Sequence, residues 1–478
     1  MLFNSLEYPV FLTLVVGVFF GLPQRLRPSF LLGASYYFYA CWRWEYLLLI
    51  LAQTEINYLC GLGIARATTR KKSRCFLIFT ASVTLFILFV FKYYNFVGTS
   101  FAVIVEQMGF SYRFPVLDAL LPVGISFHTF QCLSYNFDLY KGRIPVERSF
   151  SRFALYVSFF PLLVAGPIER AGNLLPQFCR ECRFDIERLT SGLKLIVWGL
   201  FKKSVIADRL AEYVNQIYSN PTSHGGGTLT LATVFFSFQI YCDFSGYTDI
   251  AVGSARILGY DLMENFRLPY LARSVSEFWQ RWHISLSTWF RDYLYIPLGG
   301  SRVSAARWAL NIVLTFLVSG LWHGANWTFI VWGALHGGYF LGERAMSPYW
   351  RKVVQTLSIP NWLVNCLQII GTFTLVTVAW VFFRARSVGD GLSVLHRMAC
   401  SWQGNIYLGS SSVSTIFGVG LIGVLILVQL LQSAGYLPLG VNRRVNIPTP
   451  LRWVSYLGML LGIAMLGKSG GDFIYFQF

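Results

Sequence analysis

Long stretches without a single Asp, Glu, Lys or Arg residue restrict the fold of this chain more than any other feature. A helix needs about 20 mostly apolar residues to cross a bilayer, and there it satisfies its own backbone hydrogen bonds. Many stretches approach or exceed that length, and several are long enough for two passes: 8–24, 28–42, 75–91, 119–137, 153–168, 213–242, 308–342, 353–383, 398–442 and 453–467. The pattern predicts an all-α integral membrane protein with about eleven spans, plus interfacial or re-entrant segments.

The composition agrees with a chain that lies in lipid for most of its length. Hydrophobic residues make up 55% of the sequence and charged residues 13%, whereas a soluble chain carries about 25% charge. The formal net charge of +17 would suggest nucleic-acid binding in a soluble protein. Here the basic residues are spread through short loops between apolar stretches, where they determine orientation. We therefore expect membrane lipid as a partner and no nucleic acid.

Two basic loops predict the orientation of the chain. Residues 25–27 read RLR and residues 66–74 read RATTRKKSR, after the first and third predicted spans, while no Lys or Arg precedes the first span. Because basic loops remain in the cytoplasm, the N-terminus is predicted on the outer, periplasmic side. No basic n-region or small-residue cleavage site accompanies the first apolar stretch, so we expect it to be retained as a span.

The polar stretches are too short to form a separate soluble domain. The longest are 98–118, 169–190 and 343–361, and none can bury a core of its own. The sequence therefore predicts one polytopic membrane domain over residues 1–478. Cys179 and Cys182 form a CxxC without a second pair or a nearby histidine, so no metal site is expected.

His323 lies in the charge-free stretch 308–342, between Trp322 and Gly324. A neutral imidazole can take a proton from a hydroxyl and return it to a leaving group, as acyl transfer requires. A histidine hydrogen-bonded between helices fits the same position, so the residues alone leave both interpretations open. His336 follows thirteen residues later, about 20 Å along a continuous helix, and is predicted to be structural and separate from His323.

The segment 241–300 combines many charges with dense aromatic residues, unlike a lipid-facing span. Within it, apolar residues at spacings of three and four predict one amphipathic helix over 277–293, with a Glu277–Arg281 pair and an end at Pro297. His283 lies in this helix. It either orients a substrate or lies at the headgroup level beside its tryptophans.

Asp243 and Asp249 end a long stretch without charge. Carboxylates at such a depth face a cavity or a cationic partner, for which Arg256 and Arg281 are candidates. Their spacing of six residues does not place them on one helical face, so a joint acid–base pair is not expected. A fold-stabilising ion pair is the favoured interpretation.

Six segments, in this order, resemble the membrane-bound O-acyltransferases, and within them the branch that contains the membrane subunit of alginate O-acetylation. They are GISFHTFQCLSYNFDLYKGR at 124–143, FFPLLVAGPIER at 159–170, YCDFSGYTDIAVGSARILGYDLMENFRLPY at 241–270, FWQRWHISLSTWFRDYLYIPLGG at 278–300, GLWHGANWTFIVWGALHG at 320–337 and FIYFQF at 473–478. The resemblance implies a bundle of about eleven helices around a transmembrane tunnel, with a catalytic core at about 119–345. One departure is His128, where relatives often carry an aromatic residue such as Tyr.

The resemblance also implies roles for individual residues. His323 matches the family's catalytic histidine, and His283 matches the second histidine of the polysaccharide and teichoic-acid branches. Asp243, Arg281, Trp322 and Asn326 are predicted to contact the substrate or to shape the cavity around it. The segment between the two histidines contains the interfacial helix and its return into the membrane, so we expect the two side chains to lie close together.

The reaction implied by the resemblance carries an acetyl group across the bacterial inner membrane. Acetyl-CoA in the cytoplasm is the expected donor, and no permanently bound cofactor is expected. The acceptor is an exported polysaccharide, with alginate favoured and cellulose or peptidoglycan also compatible. In this branch the acetyl group is expected to pass through a periplasmic SGNH-type acetyltransferase partner.

Two other function classes fit a membrane chain with buried aspartates and histidines. One is a proton- or ion-coupled transporter, and the other is a non-catalytic scaffold for polymer export. Both predict that acetyl transfer survives a His323→Ala substitution, whereas the acyltransferase interpretation predicts its loss.

Overall fold

A computed structural model describes residues 1–118, 120–164, 166–402, 404–409, 412–437, 448–468 and 473–474. Within these ranges the chain is helical and contains no β-strand, as the sequence predicts. It forms two compact units: the first comprises Met1–Leu195 and Ile250–Met263, the second Ile196–Asp249 and Glu264–Phe478. Two long helices, α10 (Ile186–Leu200) and α12 (Gly226–Ile257), belong partly to each unit.

The other helices of the first unit are α1 (Glu7–Gly21), α2 (Arg27–Ala40), α3 (Glu45–Arg66), α4 (Arg70–Leu88), α5 (Tyr94–Gln107), α6 (Ile125–Tyr140), α7 (Phe150–Ser158), α8 (Phe160–Leu163) and α9 (Ala171–Phe178). A π-helical turn at Phe89–Tyr93 joins α4 to α5. The predicted span at 153–168 is not one continuous helix. It breaks at Phe159, two residues before Pro161, because proline cannot donate a hydrogen bond inside a helix and is tolerated only in the first turn of the next one.

Buried polar side chains join three helices of the first unit. The carboxamide of Asn57 on α3 donates to the Thr84 hydroxyl at 3.0 Å, and its oxygen accepts from Thr80 at 2.8 Å, both on α4. The same oxygen accepts from the NH₂ of Asn136 on α6, also at 2.8 Å. Hydrogen bonds between apolar helices fix their register, because hydrocarbon offers these groups no other partner.

The second unit contains the remaining helices. They are α11 (Asp208–Ser219), α13 (Val275–Arg281), α14 (Ile284–Phe290), α15 (Ala305–His323), α16 (Trp327–Thr356), α17 (Asn361–Arg384), α18 (Val388–Cys400), α19 (Ser412–Ser433) and α20 (Thr449–Leu466). Two further π-helical segments, Phe201–Ala207 and Arg291–Tyr295, precede α11 and follow α14.

Six helical segments of the described chain are long and apolar enough to cross a membrane. They are Glu45–Arg66, Arg70–Gln107, Ala305–His323, Asn361–Arg384, Ser412–Ser433 and Thr449–Leu466. The multi-pass membrane character predicted from the sequence is thereby confirmed. The number of about eleven spans and the tunnel stay predictions. Helix α1, with 15 residues, is apolar but shorter than these segments.

Helices α15 and α16 form a close hairpin that determines where His323 lies. A Cβ atom on Gly320 would lie 2.2 Å from the carbonyl oxygen of Phe329, and one on Gly333 would lie 2.4 Å from that of Phe316. Only glycine allows such an approach between backbones. The turn at residues 324–326 ends α15 directly after His323. The assumption of one continuous helix through His323 and His336 is therefore wrong.

Candidate active site

His283 occupies a break between two helices rather than the middle of one. Helix α13 ends at Arg281 and α14 begins at Ile284, while His283 has left-handed backbone angles of φ 43° and ψ 55°. The prediction of one helix over 277–293 is wrong at this point. A non-glycine residue in this conformation costs about 1–3 kcal/mol, so surrounding contacts must hold it. The predicted end is confirmed, because a turn with positive φ at Gly299 and Gly300 follows Pro297.

The segment just before Pro269 supplies the contacts that hold this break. The backbone carbonyl of Asn265 accepts from the Ile284 N–H at 3.0 Å, and its side-chain oxygen accepts from the Ser285 N–H at 3.1 Å. On the other side of the break, the Arg267 N–H donates to the Arg281 carbonyl at 2.9 Å. These bonds satisfy backbone groups that the interrupted helix leaves free.

His323 is the last residue of α15. Gly324 then continues in an extended conformation, and Asn326 caps α16 by accepting from the Thr328 N–H at 3.0 Å. The NH₂ group of Asn326 donates to the Arg386 carbonyl at 3.2 Å. The structure thus gives Asn326 a capping role, and its contact with substrate stays a prediction.

The two histidines meet in a buried aromatic cluster, although forty residues separate them in sequence. Their ring centroids are 6.4 Å apart, and their exposed fractions are 0% for His283 and 3% for His323. The Trp322 ring lies 6.0 Å from His283 and 5.1 Å from His323. Phe244 packs against His283 at 4.6 Å, and Phe383 against His323 at 5.4 Å. The expected closeness of the two side chains is confirmed.

His336 lies nearer to this cluster than the sequence predicted. The Trp332 ring lies 5.0 Å from the His323 ring and 4.8 Å from the His336 ring, so one indole contacts both. The cause is the hairpin, which brings α16 back alongside α15. His336 accepts a hydrogen bond from the Trp279 indole N–H at 3.3 Å, a contact that fits the predicted structural role.

Asp243 and Asp249 form buried ion pairs, but not with the predicted arginines. Asp243 pairs with Lys203 at 2.6 Å and also accepts from the backbone N–H of Ile474 at 2.7 Å. Asp249 pairs with Lys202 at 2.8 Å. Arg256 and Arg281 are therefore the wrong partners, whereas the fold-stabilising ion pairs are confirmed. Neither lysine was predicted as a partner from the sequence. A signal was present, because two lysines inside the apolar run LIVWGLFKKSVIA are costly in such surroundings unless each is paired.

Arg281 bonds to groups on its own helix and on the segment just before Pro269. It pairs with Glu277 as predicted and donates to the Leu268 carbonyl at 3.4 Å, which ties the end of α13 to the segment just before Pro269. Of the six predicted site residues, the structure brings His283, His323 and Trp322 into one cluster. Asp243 adjoins that cluster through its chain neighbour Phe244.

Two cavities of the second unit are lined by residues close in sequence to members of the cluster. A cavity of about 370 Å³ is lined by Ile284, which follows His283, and by Ser319, one turn before His323. Its wall also carries the hydroxyls of Ser287 and Thr315. A smaller cavity of about 200 Å³ is lined by Ala385 and Arg386, shortly after Phe383. Both are large enough to admit several waters or part of a substrate.

Members of the cluster, together with Asn265, which bonds to the two residues after His283, carry buried polar groups that find no hydrogen-bond partner in the described part of the chain. They are both ring nitrogens of His283, the NH₂ nitrogen of Asn265 and the indole nitrogen of Trp332. Buried polar groups in proteins are nearly always paired, so several unpaired groups in one cluster indicate a site for a polar ligand. Within the described ranges, no group of three or more His, Cys, Asp and Glu side chains is arranged to hold a metal ion.

Comparison with known proteins identifies the family of the chain. The sequence model of the membrane-bound O-acyltransferase family matches residues 75–383. The chain is 41% identical to the probable alginate O-acetylase of Azotobacter vinelandii, over 81% of this chain and 75% of that protein.

Two further relatives point to the same family. The corresponding Pseudomonas aeruginosa protein is 41% identical over 83% of this chain and 74% of its own length. The peptidoglycan O-acetyltransferase of Helicobacter pylori is 36% identical over 76% of this chain and 72% of that protein. The chain therefore belongs to the membrane-bound O-acyltransferase family, and it is an O-acyltransferase.

Proposed function

We propose that this chain takes acetyl groups from cytoplasmic acetyl-CoA and passes them across the inner membrane for O-acetylation of an exported polysaccharide. The observation that carries the proposal is the buried pair of His283 and His323, with ring centroids 6.4 Å apart. Alginate is the favoured polymer, because two of the relatives described above are probable alginate O-acetylases. The Helicobacter pylori relative makes peptidoglycan the next candidate.

In this proposal His323 is the general base. The acceptor hydroxyl attacks the acetyl carbon of the thioester while its proton moves to the His323 imidazole. The carbonyl electrons move to the acetyl oxygen and then return, which breaks the carbon–sulfur bond. The proton passes from His323 to the sulfur and releases free CoA. Proton transfer of this kind contributes about 10²–10⁴-fold to rate.

The other predicted residues have supporting roles in this proposal. His283 orients the acceptor hydroxyl or the thioester beside His323, and Trp322, which contacts both rings, forms the apolar wall of the site. Asp243 and Arg281 shape the cavity through their neighbours Phe244 and His283. Asn326, at the turn after His323, contacts the substrate at the mouth of the site.

The charges at the ends of α15, α16 and α17 support a direction for the reaction. Five basic residues lie near the end of the hairpin remote from His323: Arg302, Arg307, Arg344, Arg351 and Lys352. The other end, beside the turn after His323, has Arg384 and Arg386. The excess of basic residues favours the first end as cytoplasmic. The larger cavity, on the Ser319 side, would then receive the acetyl-CoA arm, and the smaller cavity would face the acceptor.

The remaining parts of the proposal concern partners and orientation. The acceptor hydroxyl belongs either to the polymer or to a periplasmic SGNH-type partner that then modifies the polymer. The N-terminus lies in the periplasm and the basic loop at 66–74 in the cytoplasm, as the charge pattern predicts.

Acetyl-CoA turnover by purified protein tests the proposal. We expect His323→Ala to lower kcat by about 10²–10⁴-fold, the contribution of a general base. His283→Ala should lower it by a smaller factor. His396→Ala, at an exposed histidine on α18, is the matched control and should retain wild-type turnover. Equal turnover by all four proteins would contradict the mechanism.

A further inference from the structure

Asn265 combines two properties that the proposed mechanism does not yet use. It is 1% exposed, and two of its oxygen atoms hold the first turn of α14 beside His283. Its NH₂ nitrogen finds no hydrogen-bond partner in the described part of the chain. The same side chain is thus fixed at one end and presents an unsatisfied donor at the other.

The orientation of this carboxamide follows from its neighbours. The backbone N–H of Ser285 is a donor, so the atom that faces it at 3.1 Å must be the side-chain oxygen. The NH₂ group, bonded to the same carbon, must then point away from that N–H. A flipped carboxamide would place two donors against each other, so the assignment does not depend on a choice between similar networks.

The unpaired NH₂ group of Asn265 is costly to the fold, and its position suits it to bind a reacting group. Leaving such a group unpaired costs about 1–3 kcal/mol, which a protein retains where a ligand repays it. Asn265 bonds to Ile284 and Ser285, the two residues that follow His283. The His283 ring in turn lies 6.4 Å from that of His323. Acyl transfer develops negative charge on the acyl oxygen, and fixed amide donors stabilise that charge most effectively because they need not reorganise.

We propose that Asn265 is a catalytic residue whose NH₂ group donates a hydrogen bond to the acyl oxygen as its negative charge develops. The inference rests on the proposed function, because it assigns this oxygen to the acetyl group of the thioester. In the step described above, the carbonyl electrons move to that oxygen while the hydroxyl proton moves to His323. When the carbon–sulfur bond breaks, the electrons return and the hydrogen bond weakens. The side-chain oxygen of Asn265 meanwhile keeps α14 and His283 in place.

An Asn265→Asp substitution separates the two functions of this side chain. Aspartate keeps an oxygen for the Ser285 N–H, and the backbone carbonyl still accepts from Ile284. The NH₂ donor is lost, and the ionised carboxylate adds a negative charge that opposes the charge on the acyl oxygen. We expect kcat for acetyl transfer to fall by about 10²–10³-fold, as for other single oxyanion donors, while KM for acetyl-CoA changes little. Asn265→Ala, which removes both functions, should also lose folded protein.

A pH series distinguishes the lost donor from simple damage. At low pH the introduced carboxyl group carries a proton and offers an O–H donor in nearly the same place. The ratio of Asn265→Asp to wild-type kcat should therefore rise as the pH falls from 8 to 5. The ratio cancels any pH dependence that the two proteins share.

Asn311→Asp is the matched control. Asn311 is also fully buried in the second unit, and its NH₂ donates to the carbonyls of Leu298 and Gly300. We expect this variant to lose thermal stability in detergent but to keep kcat per folded molecule at every pH.

Two outcomes would overturn the inference. One is wild-type kcat in Asn265→Asp, and the other is a loss in both aspartate variants that follows their thermal stability. No turnover by the wild type would instead contradict acetyl-CoA as donor. The same variants would then be compared by O-acetyl content of the polymer in producing cells, where the same ratios are expected.

Discussion

The ring centroids of His283 and His323 lie 6.4 Å apart in a site that excludes solvent from both side chains. A single hydroxyl or thioester placed between the rings can contact both. Trp322 lines the same space, so the two histidines share one environment rather than two separate ones. Residues that act on one reacting group contribute to catalysis as a unit.

The shared site predicts that the effects of the two histidines are not additive. We expect the double variant His283→Ala/His323→Ala to have nearly the same residual turnover as His323→Ala alone, because the second removal acts on a site already disabled. Steady-state acetyl-transfer rates of the four proteins provide the measurement. Losses that multiply would show that the histidines act in independent steps.

The close contact between α15 and α16 predicts that a single methyl group added at Gly320 strongly affects stability and turnover. Gly320→Ala would place its Cβ 2.2 Å from the Phe329 carbonyl oxygen, so the hairpin must open and His323 must move. We expect a stability loss of about 1–3 kcal/mol and a fall in turnover of more than tenfold. Gly338→Ala, on α16 with nothing within 4 Å of the added atom, should leave thermal stability and turnover unchanged. Equal behaviour of the two variants would mean that the contact can relax without cost.

The ion pairs of Lys203 predict that its substitution affects folding more than catalysis. Lys203 pairs with Asp243 at 2.6 Å and with Asp208 at 2.7 Å, so Lys203→Met leaves a buried and a partly buried carboxylate without this cation. Removal of one partner from a buried pair costs about 3–5 kcal/mol. Thermal inactivation in detergent should show this loss, whereas Lys71→Met, at an exposed lysine in the first turn of α4, should unfold as the wild type does. A Lys203→Met protein of normal stability would argue against a structural role for the pair.

The charge pattern predicts which loops are accessible from each side of the membrane. A cysteine at Lys71 should react with an impermeant maleimide only after the inner membrane is opened. A cysteine at Ser5, before the first span, should react once the periplasm is accessible. The background is a variant without the nine native cysteines. Labelling at Lys71 before the membrane is opened would reverse the predicted orientation.

Much of this protein was predictable because membranes restrict chains severely. Charge-free stretches specify apolar helices, and an ionisable side chain inside them is costly enough to indicate a site or an ion pair. On this basis the sequence predicted an all-helical membrane protein and the ion-paired state of Asp243, and it indicated His323 as a candidate site residue. The order of the motifs around both histidines predicted the family.

The tertiary structure decided the relations that depend on partners remote in sequence. The break at His283 exists because Asn265 satisfies the N–H groups that the broken helix releases, and no local pattern in 277–293 reveals that brace. Lys203, rather than an arginine, neutralises Asp243 because the π-helical segment at Phe201–Ala207 carries it there. Hydropathy determines which segments are buried in lipid, and it can be obtained from the sequence because it is a property of single residues. Packing and hydrogen bonding between segments determine which buried groups meet.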